Sequence, residues 1–242
     1  GAGAAMTCQL AARNLADVAG LARLVDVVHK YGTKIFIQLH HPGGQGSSAI
    51  GGEPIVAASA VKSPTAYETP HALQVEEIAK IESAFISGAL FTKMAGADGV
   101  LLHGAHGYLI NSFLSPYLNK RTDDYGGSLE NRMRFLLDII RGIREQCGGD
   151  FPIGVRLSVE EFLGKEGNDL EESCRICEVL EEAGVDFIDV SCTIPGSPEV
   201  CACIEPGTYE QGWKRYMAAE IKKHVNIPII AVCNIKEPDV AE

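Results

Sequence analysis

Clustered positive charge is the first thing this sequence lacks. Its 242 residues carry 21 Lys and Arg against 32 Asp and Glu, a formal net charge of −11. That balance argues against nucleic acid and anionic membranes, both of which are bound through a basic face. Long apolar runs are missing too: no stretch reaches the roughly 18 consecutive apolar residues of a membrane span, and the first residues show no basic-then-apolar export pattern. A cytoplasmic setting and a small organic partner are therefore expected. There is also no disulfide framework. The eight cysteines (Cys8, Cys147, Cys174, Cys177, Cys192, Cys201, Cys203 and Cys233) are scattered and read as reduced thiols. Cys174 and Cys177 form CxxC inside a helical pattern, where i, i+3 spacing faces a core. Cys201 and Cys203 follow Pro195-Gly196-Ser197-Pro198 in a loop and are candidate reactive thiols.

What is present, with 46% hydrophobic and 22% charged residues, is enough for one large core. Short apolar runs alternate with longer amphipathic ones. Strands are expected at Gly1–Met6, Lys34–Leu39, Gly99–His103, Ile153–Ser158, Phe187–Ser191 and Ile229–Val232. Helices are expected at Asp17–Tyr31, with Val18, Leu21, Leu24, Val25 and Val28 on one stripe, and at Val75–Met94, Leu129–Gln146, Leu170–Ala183 and Tyr209–His224, with another starting at Pro238. Six strands and five full helices in alternation mean an α/β protein with a parallel sheet, either open and doubly wound or most of a (β/α)8 barrel. Polar groups close several strands (Gln38 with His40 and His41, His103, Arg156 and Ser158, Ser191, Asn234), which favours a barrel rim over a single switch point.

The densest chemistry follows the Gly99 run. His103 and His106 sit three apart and Tyr108 two further on, placing two imidazoles and a phenol in one loop where they can hydrogen-bond or protonate a substrate. Spacing alone equally allows satisfied loop residues or a metal site. A metal-dependent lyase using His40, His41, His103 and His106 is disfavoured because no paired carboxylates stand at ligand spacing, and no metal is expected. Gly44-x-Gly46-x-x-Ala49 formally fits a dinucleotide fingerprint, yet no helix is expected to open there, so it reads as a mobile loop. The charged stretch Asn119 to Gly127 reads as structural.

The gap-free segment HGAHGYLINSFLSPYLNKRTDDYGGSLENRMRF resembles the Old Yellow Enzyme family of flavin-dependent NADH oxidoreductases and ene-reductases, in the part that follows barrel strand four. Its wording is closest to the branch of 2-enoate reductases, 2,4-dienoyl-CoA reductases and bile-acid-inducible flavin oxidoreductases. The resemblance implies one partial FMN-binding TIM-barrel domain over residues 1–242, with strands two to seven present and strands one and eight missing. It also implies reduction of the C=C bond of α,β-unsaturated carbonyl compounds by hydride from reduced FMN, with NADH or NADPH as reductant. Carried over by position, Gln38 pairs with the pyrimidine edge of FMN and Arg156 sits near flavin N1 and O2. His103 and His106 hold the substrate oxygen, and Tyr108 protonates the α-carbon. Cys233 and Asn234 stand where the family has phosphate-binding glycines; Gly44 and Leu101 replace a frequent Arg and Glu. The branch adds a [4Fe-4S] centre and FAD only in a longer form. Missing strands leave open edges, so a homo-oligomer or a complementing segment is an expected partner, and a fragment that binds no flavin is the alternative reading.

Overall fold

The computed structural model describes residues 3–197, 207, 209–232 and 234–241. Helix α1 (Leu15–His29) leads into β1 (Phe36–Leu39), followed by α2 (Ser48–Gly51) and the short strands β2 (Val56–Ala57) and β3 (His71–Ala72). Then come α3 (Val75–Met94), β4 (Gly99–Gly104), α4 (Leu109–Leu114), α5 (Leu129–Cys147) and β5 (Ile153–Ser158). The chain continues through α6 (Leu170–Glu182), β6 (Phe187–Ser191), α7 (Arg215–His224), β7 (Ile229–Ala231) and α8 (Pro238–Ala241). The main sheet runs β1-β4-β5-β6-β7 and every neighbour is parallel. β2 and β3 form a separate parallel pair. Among the described residues, β1 and β7 are edges with no further strand partner, so this is an unclosed parallel arc of βα units.

Helix ends are written locally. The Asn14 side chain accepts the Ala16 N–H to start α1, Gln74 and Glu77 cap each other at the start of α3, and Asp169 accepts the Glu172 N–H at α6. Cys174 and Cys177 are buried on α6, as their spacing implies. On α1 the buried stripe is narrower than expected: Leu21 and Val25 are buried, while Leu24 is exposed.

Three expectations fail. Residues 3–8 form turns and bends rather than a strand. Gly1–Met6 is almost all Gly and Ala, small side chains that bury little and favour strand pairing poorly. Helix α7 starts at Arg215, not Tyr209, because Gly212 takes a left-handed φ of 65° and interrupts the run. The Gly44–Gly46 loop is also not mobile surface. Residues 43–45 make a 3-10 turn with Gly43 and Gly44 buried, and the short α2 follows.

The register sorts the sheet into two faces. Leu39, Leu102, Val155 and Ile188 share a row and lie buried in the main core. The opposite, inner face carries Gln38, Leu101, Gly154 and Phe187 in one row and His103, Arg156 and Asp189 in the next. Its floor is closed by the Phe36 and Phe187 rings, edge to face at 5.3 Å. Glycine makes room for both: a Cβ at Gly99 would overlap the Phe36 ring, and one at Gly154 the Phe187 ring. Gly154→Ala is expected to cost about 1–3 kcal/mol by overpacking, read from the urea midpoint; an unchanged midpoint would show that the two rings move apart freely.

Candidate active site

Strand β4 delivers His103 to the inner face, and the chain then turns sharply. His106 and Gly107 both adopt left-handed backbone, φ 62° and 74°. Such a conformation is costly for a non-glycine residue and is held only by surrounding structure. A Cβ on Gly107 would also crowd Pro195 Cδ at 2.9 Å. The turn brings the three predicted groups together. The Tyr108 ring stands edge to face with His103 at 4.8 Å and 6.3 Å from His106, and the two imidazoles are 5.1 Å apart. His40, just past β1, completes the cluster at 4.3 Å from Tyr108 and 5.3 Å from His103. Among the described residues, no group of three or more His, Cys, Asp or Glu is arranged to hold a metal.

His103 and His106 are buried. The Ala105 N–H donates to His103 Nδ1 at 3.3 Å, which leaves Nε2 as the protonated nitrogen of the neutral ring. His106 Nε2 meets Ser191 Oγ at 2.7 Å. Its backbone N–H donates to Ser158 Oγ at 2.9 Å, and that hydroxyl donates to the Thr193 carbonyl. Burial drives the histidine pKa values down, to about 4 at His40 and His41 and about 3 at His106, with the charges of Arg156 and Lys214 helping at His106. His103 is lowered further still by burial and by its neighbours His106, His40 and Arg156. All four are therefore neutral near pH 7.

A pH dependence follows. Unfolded histidines bind protons below about pH 6.5, whereas the folded ones refuse them down to about pH 4 or lower, so stability falls as pH drops through that window. Glu161 and Glu82, raised to about 7 by burial, act in the opposite sense between about pH 7 and 4.5. Four histidines against three raised carboxyls, Asp189 being the third, leave the acid side destabilised. The urea midpoint should drop steadily from pH 6.5 to pH 4; a flat profile would mean that the imidazoles are hydrated and charged.

The remaining predicted positions differ in environment. Arg156 lies one strand over from His103, in the same row. Its Nε is 3.6 Å from Asp189 Oδ2, an ion-pair distance too long for a hydrogen bond. Among the described residues, neither Arg156 Nε nor Asp189 Oδ1, both buried, has a hydrogen-bond partner. Burial raises the Asp189 pKa, opposed by Arg156 and Lys214. Gln38 is exposed on the inner face of the β1 edge. Asn234, at φ 44°, donates from Nδ2 to the Tyr209 carbonyl at 3.1 Å. Cys233, Cys201 and Cys203 lie outside the described residues.

Sequence reasoning passed over Asp189, Glu161 and Asn111. Asp189 stands two residues before Ser191 in the apolar strand FIDVS, a period-two pattern that placed it on the same inner face. Glu161 and Asn111 sit in a loop and a helix, and nothing in the local sequence marks them as buried.

The family model described as NADH:flavin oxidoreductase / NADH oxidase matches residues 2–242. The chain belongs to this family. It is 47% identical over 239 residues to an NADH oxidase of Thermoanaerobacter brockii, covering 98% of this chain and 36% of that protein. A solved 2-naphthoyl-CoA reductase in complex with 2-naphthoyl-CoA superposes with a TM-score of 0.91 at 31% identity, covering 99% of this chain and 38% of that one. An Old Yellow Enzyme homologue from Zymomonas mobilis superposes at 0.80 with 25% identity, covering 97% of this chain and 66% of that one. The chain thus spans about a third of the NADH oxidase and of the naphthoyl-CoA reductase. Its described part is an unclosed section of the family's flavoprotein TIM barrel, and among the described residues no helix is long and apolar enough to cross a membrane.

Proposed function

We propose that this oxidoreductase chain, with FMN, reduces the C=C bond of α,β-unsaturated carbonyl compounds such as enones, enoates or enoyl-CoA thioesters. The observation that carries the reading is the cluster of neutral His103 and His106 against Tyr108 at the end of β4. FMN, when bound, supplies the hydride, having been reduced by NADH or NADPH. The residues present fit that group: a buried Arg156 Nε has no hydrogen-bond acceptor among the described residues, and an exposed amide at Gln38 offers donor and acceptor on the same face.

The chain's own part is polarisation and proton supply. His103 donates from Nε2 to the carbonyl oxygen, and His106, its ring plane fixed by Ser191, stands beside it. Their N–H dipoles, Nε2–H at His103 and Nδ1–H at His106 with Ser191 donating to its Nε2, stabilise the negative charge that develops on that oxygen. Neutral rings suit this task, since a donor that keeps its proton leaves protonation of the α-carbon to Tyr108. Arg156 contributes a fixed cation whose charge is shared with Asp189.

The test is a spectrum of the purified chain with added FMN, followed by anaerobic NADH and then an enone. Bound flavin that bleaches and recolours supports the reading; bleaching without recolouring would leave a flavin reductase that does not act on C=C bonds. The unpaired edges of β1 and β7 among the described residues favour a second reading, in which FMN is held only with a complementing segment. In that case the chain alone shows no bound flavin.

A further inference from the structure

We propose that Glu161 is a positioning residue that locks the His106–Gly107 turn through the amide of Asn111. The role rests on the reading of that turn as the catalytic loop, although the contacts themselves do not. Glu161 is fully buried. Three donors converge on its carboxylate: Asn111 Nδ2–H on Oε1 at 3.2 Å, and Ser115 Oγ–H at 2.7 Å and Asn168 N–H at 3.0 Å on Oε2. Asn111, itself buried, accepts the Gly107 N–H on Oδ1 at 2.7 Å.

The orientation of the Asn111 amide is thereby dictated from one end. Ionised, above about pH 7, Glu161 is an acceptor only, so it takes the NH2 side of Asn111 and turns the carbonyl side toward Gly107. That carbonyl holds one of two successive left-handed residues, and the turn it pins is what aims His106 at His103 and Tyr108. Without a partner the buried Gly107 N–H would carry the full cost of an unmade bond. Arg132 supports the arrangement at a distance, donating from Nη1 to Asn168 Oδ1 at 3.1 Å.

Glu161→Gln tests this with nearly unchanged shape. A glutamine has one acceptor oxygen for three donors. If that oxygen faces Ser115 and Asn168, its NH2 confronts the NH2 of Asn111, which must flip and present NH2 to the Gly107 N–H. The measurement is amide hydrogen exchange at Gly107 in the 15N-labelled chain, with no substrate present, at a pH above about 7 where Glu161 is ionised. Exchange should be roughly five- to tenfold faster in Glu161→Gln, the loss of about one net hydrogen bond. It should be unchanged in Ser115→Ala, which removes a donor to Oε2 and spares the Asn111 arm. Asn111→Leu should reproduce the faster exchange, and it serves if Glu161→Gln fails to fold.

Equal exchange in wild type and in Glu161→Gln or Asn111→Leu would overturn the proposal. So would an equal rise in Ser115→Ala, which would indicate general loosening. In turnover with NADH and an enone, Glu161→Gln should lower kcat with KM for NADH unchanged. A wild-type chain that reduces no enone would defeat the proposed reaction while leaving the Gly107 result to stand or fall by itself.

Discussion

Tyr108→Phe is expected to slow enone reduction by about 10²- to 10⁴-fold, the range that a positioned general acid supplies, while NADH still bleaches the flavin at the wild-type rate. The substitution removes one oxygen. The ring keeps its edge-to-face contacts with His40 and His103, and the backbone role of residue 108 ahead of α4, where its carbonyl accepts the Ser112 N–H, is untouched. A large loss confined to recolouring is therefore chemical rather than structural. Anaerobic stopped-flow separates the two half-reactions: bleaching reports loading by NADH, and recolouring reports transfer to the enone. A recolouring rate within about threefold of wild type would remove Tyr108 from the proton-donor role, since bulk water would then be protonating the α-carbon as well as the phenol does.

The second large effect is on stability. Arg132, buried on α5, ties four pieces of chain together. Its Nη1 donates to the Leu114 carbonyl at the end of α4 and to Asn168 ahead of α6. Nη2 donates to Glu172 at 2.6 Å and Nε to the Gly127 carbonyl at 3.3 Å. Arg132→Met fills much of the same volume but strands Glu172 and orphans the Leu114 carbonyl. Breaking a buried pair by removing one partner costs about 3–5 kcal/mol, and the Glu172 side chain is 25% exposed, which places the effect near the lower end. Urea unfolding followed by circular dichroism measures it. A loss below about 1 kcal/mol would mean that water replaces the guanidinium at all four acceptors.

How much of this is legible in the sequence depends on the range of the interaction. Strands 153–158 and 187–191 and helix 75–94 were read with the boundaries the structure shows, because periodicity, β-branched content and caps are local properties. The rim of polar strand ends was legible for the same reason: His103, Arg156 and Ser191 each close an apolar run. The pairing of Arg156 with Asp189 was not, since it depends on which strands are neighbours and in what register. Glu161 was invisible for a similar reason. It lies 46 residues from Ser115 and 50 from Asn111, and in sequence it is one more acid in a charged loop. Gly1–Met6 fits a strand pattern, yet residues 3–6 form none, because small apolar residues satisfy a hydropathy pattern without supplying the side chains a strand must bury.

The glycine-carved floor has a consequence for how this scaffold can change. Phe36 and Phe187 open their strands, whereas His103 and Ser191 stand near the ends of theirs, four residues beyond Gly99 and Phe187. At about 3.3 Å per residue the plug is roughly 13 Å from His103 and Ser191, beyond the 7–10 Å or so within which substitutions couple energetically, whereas Arg156 and Asp189 stand only two residues beyond Gly154 and Phe187. Mutations beside His103 and Ser191 thus change the reactive end of the arc without drawing on the packing that holds the other. Variation in specificity and selection for durability are free to proceed as separate histories within a single gene.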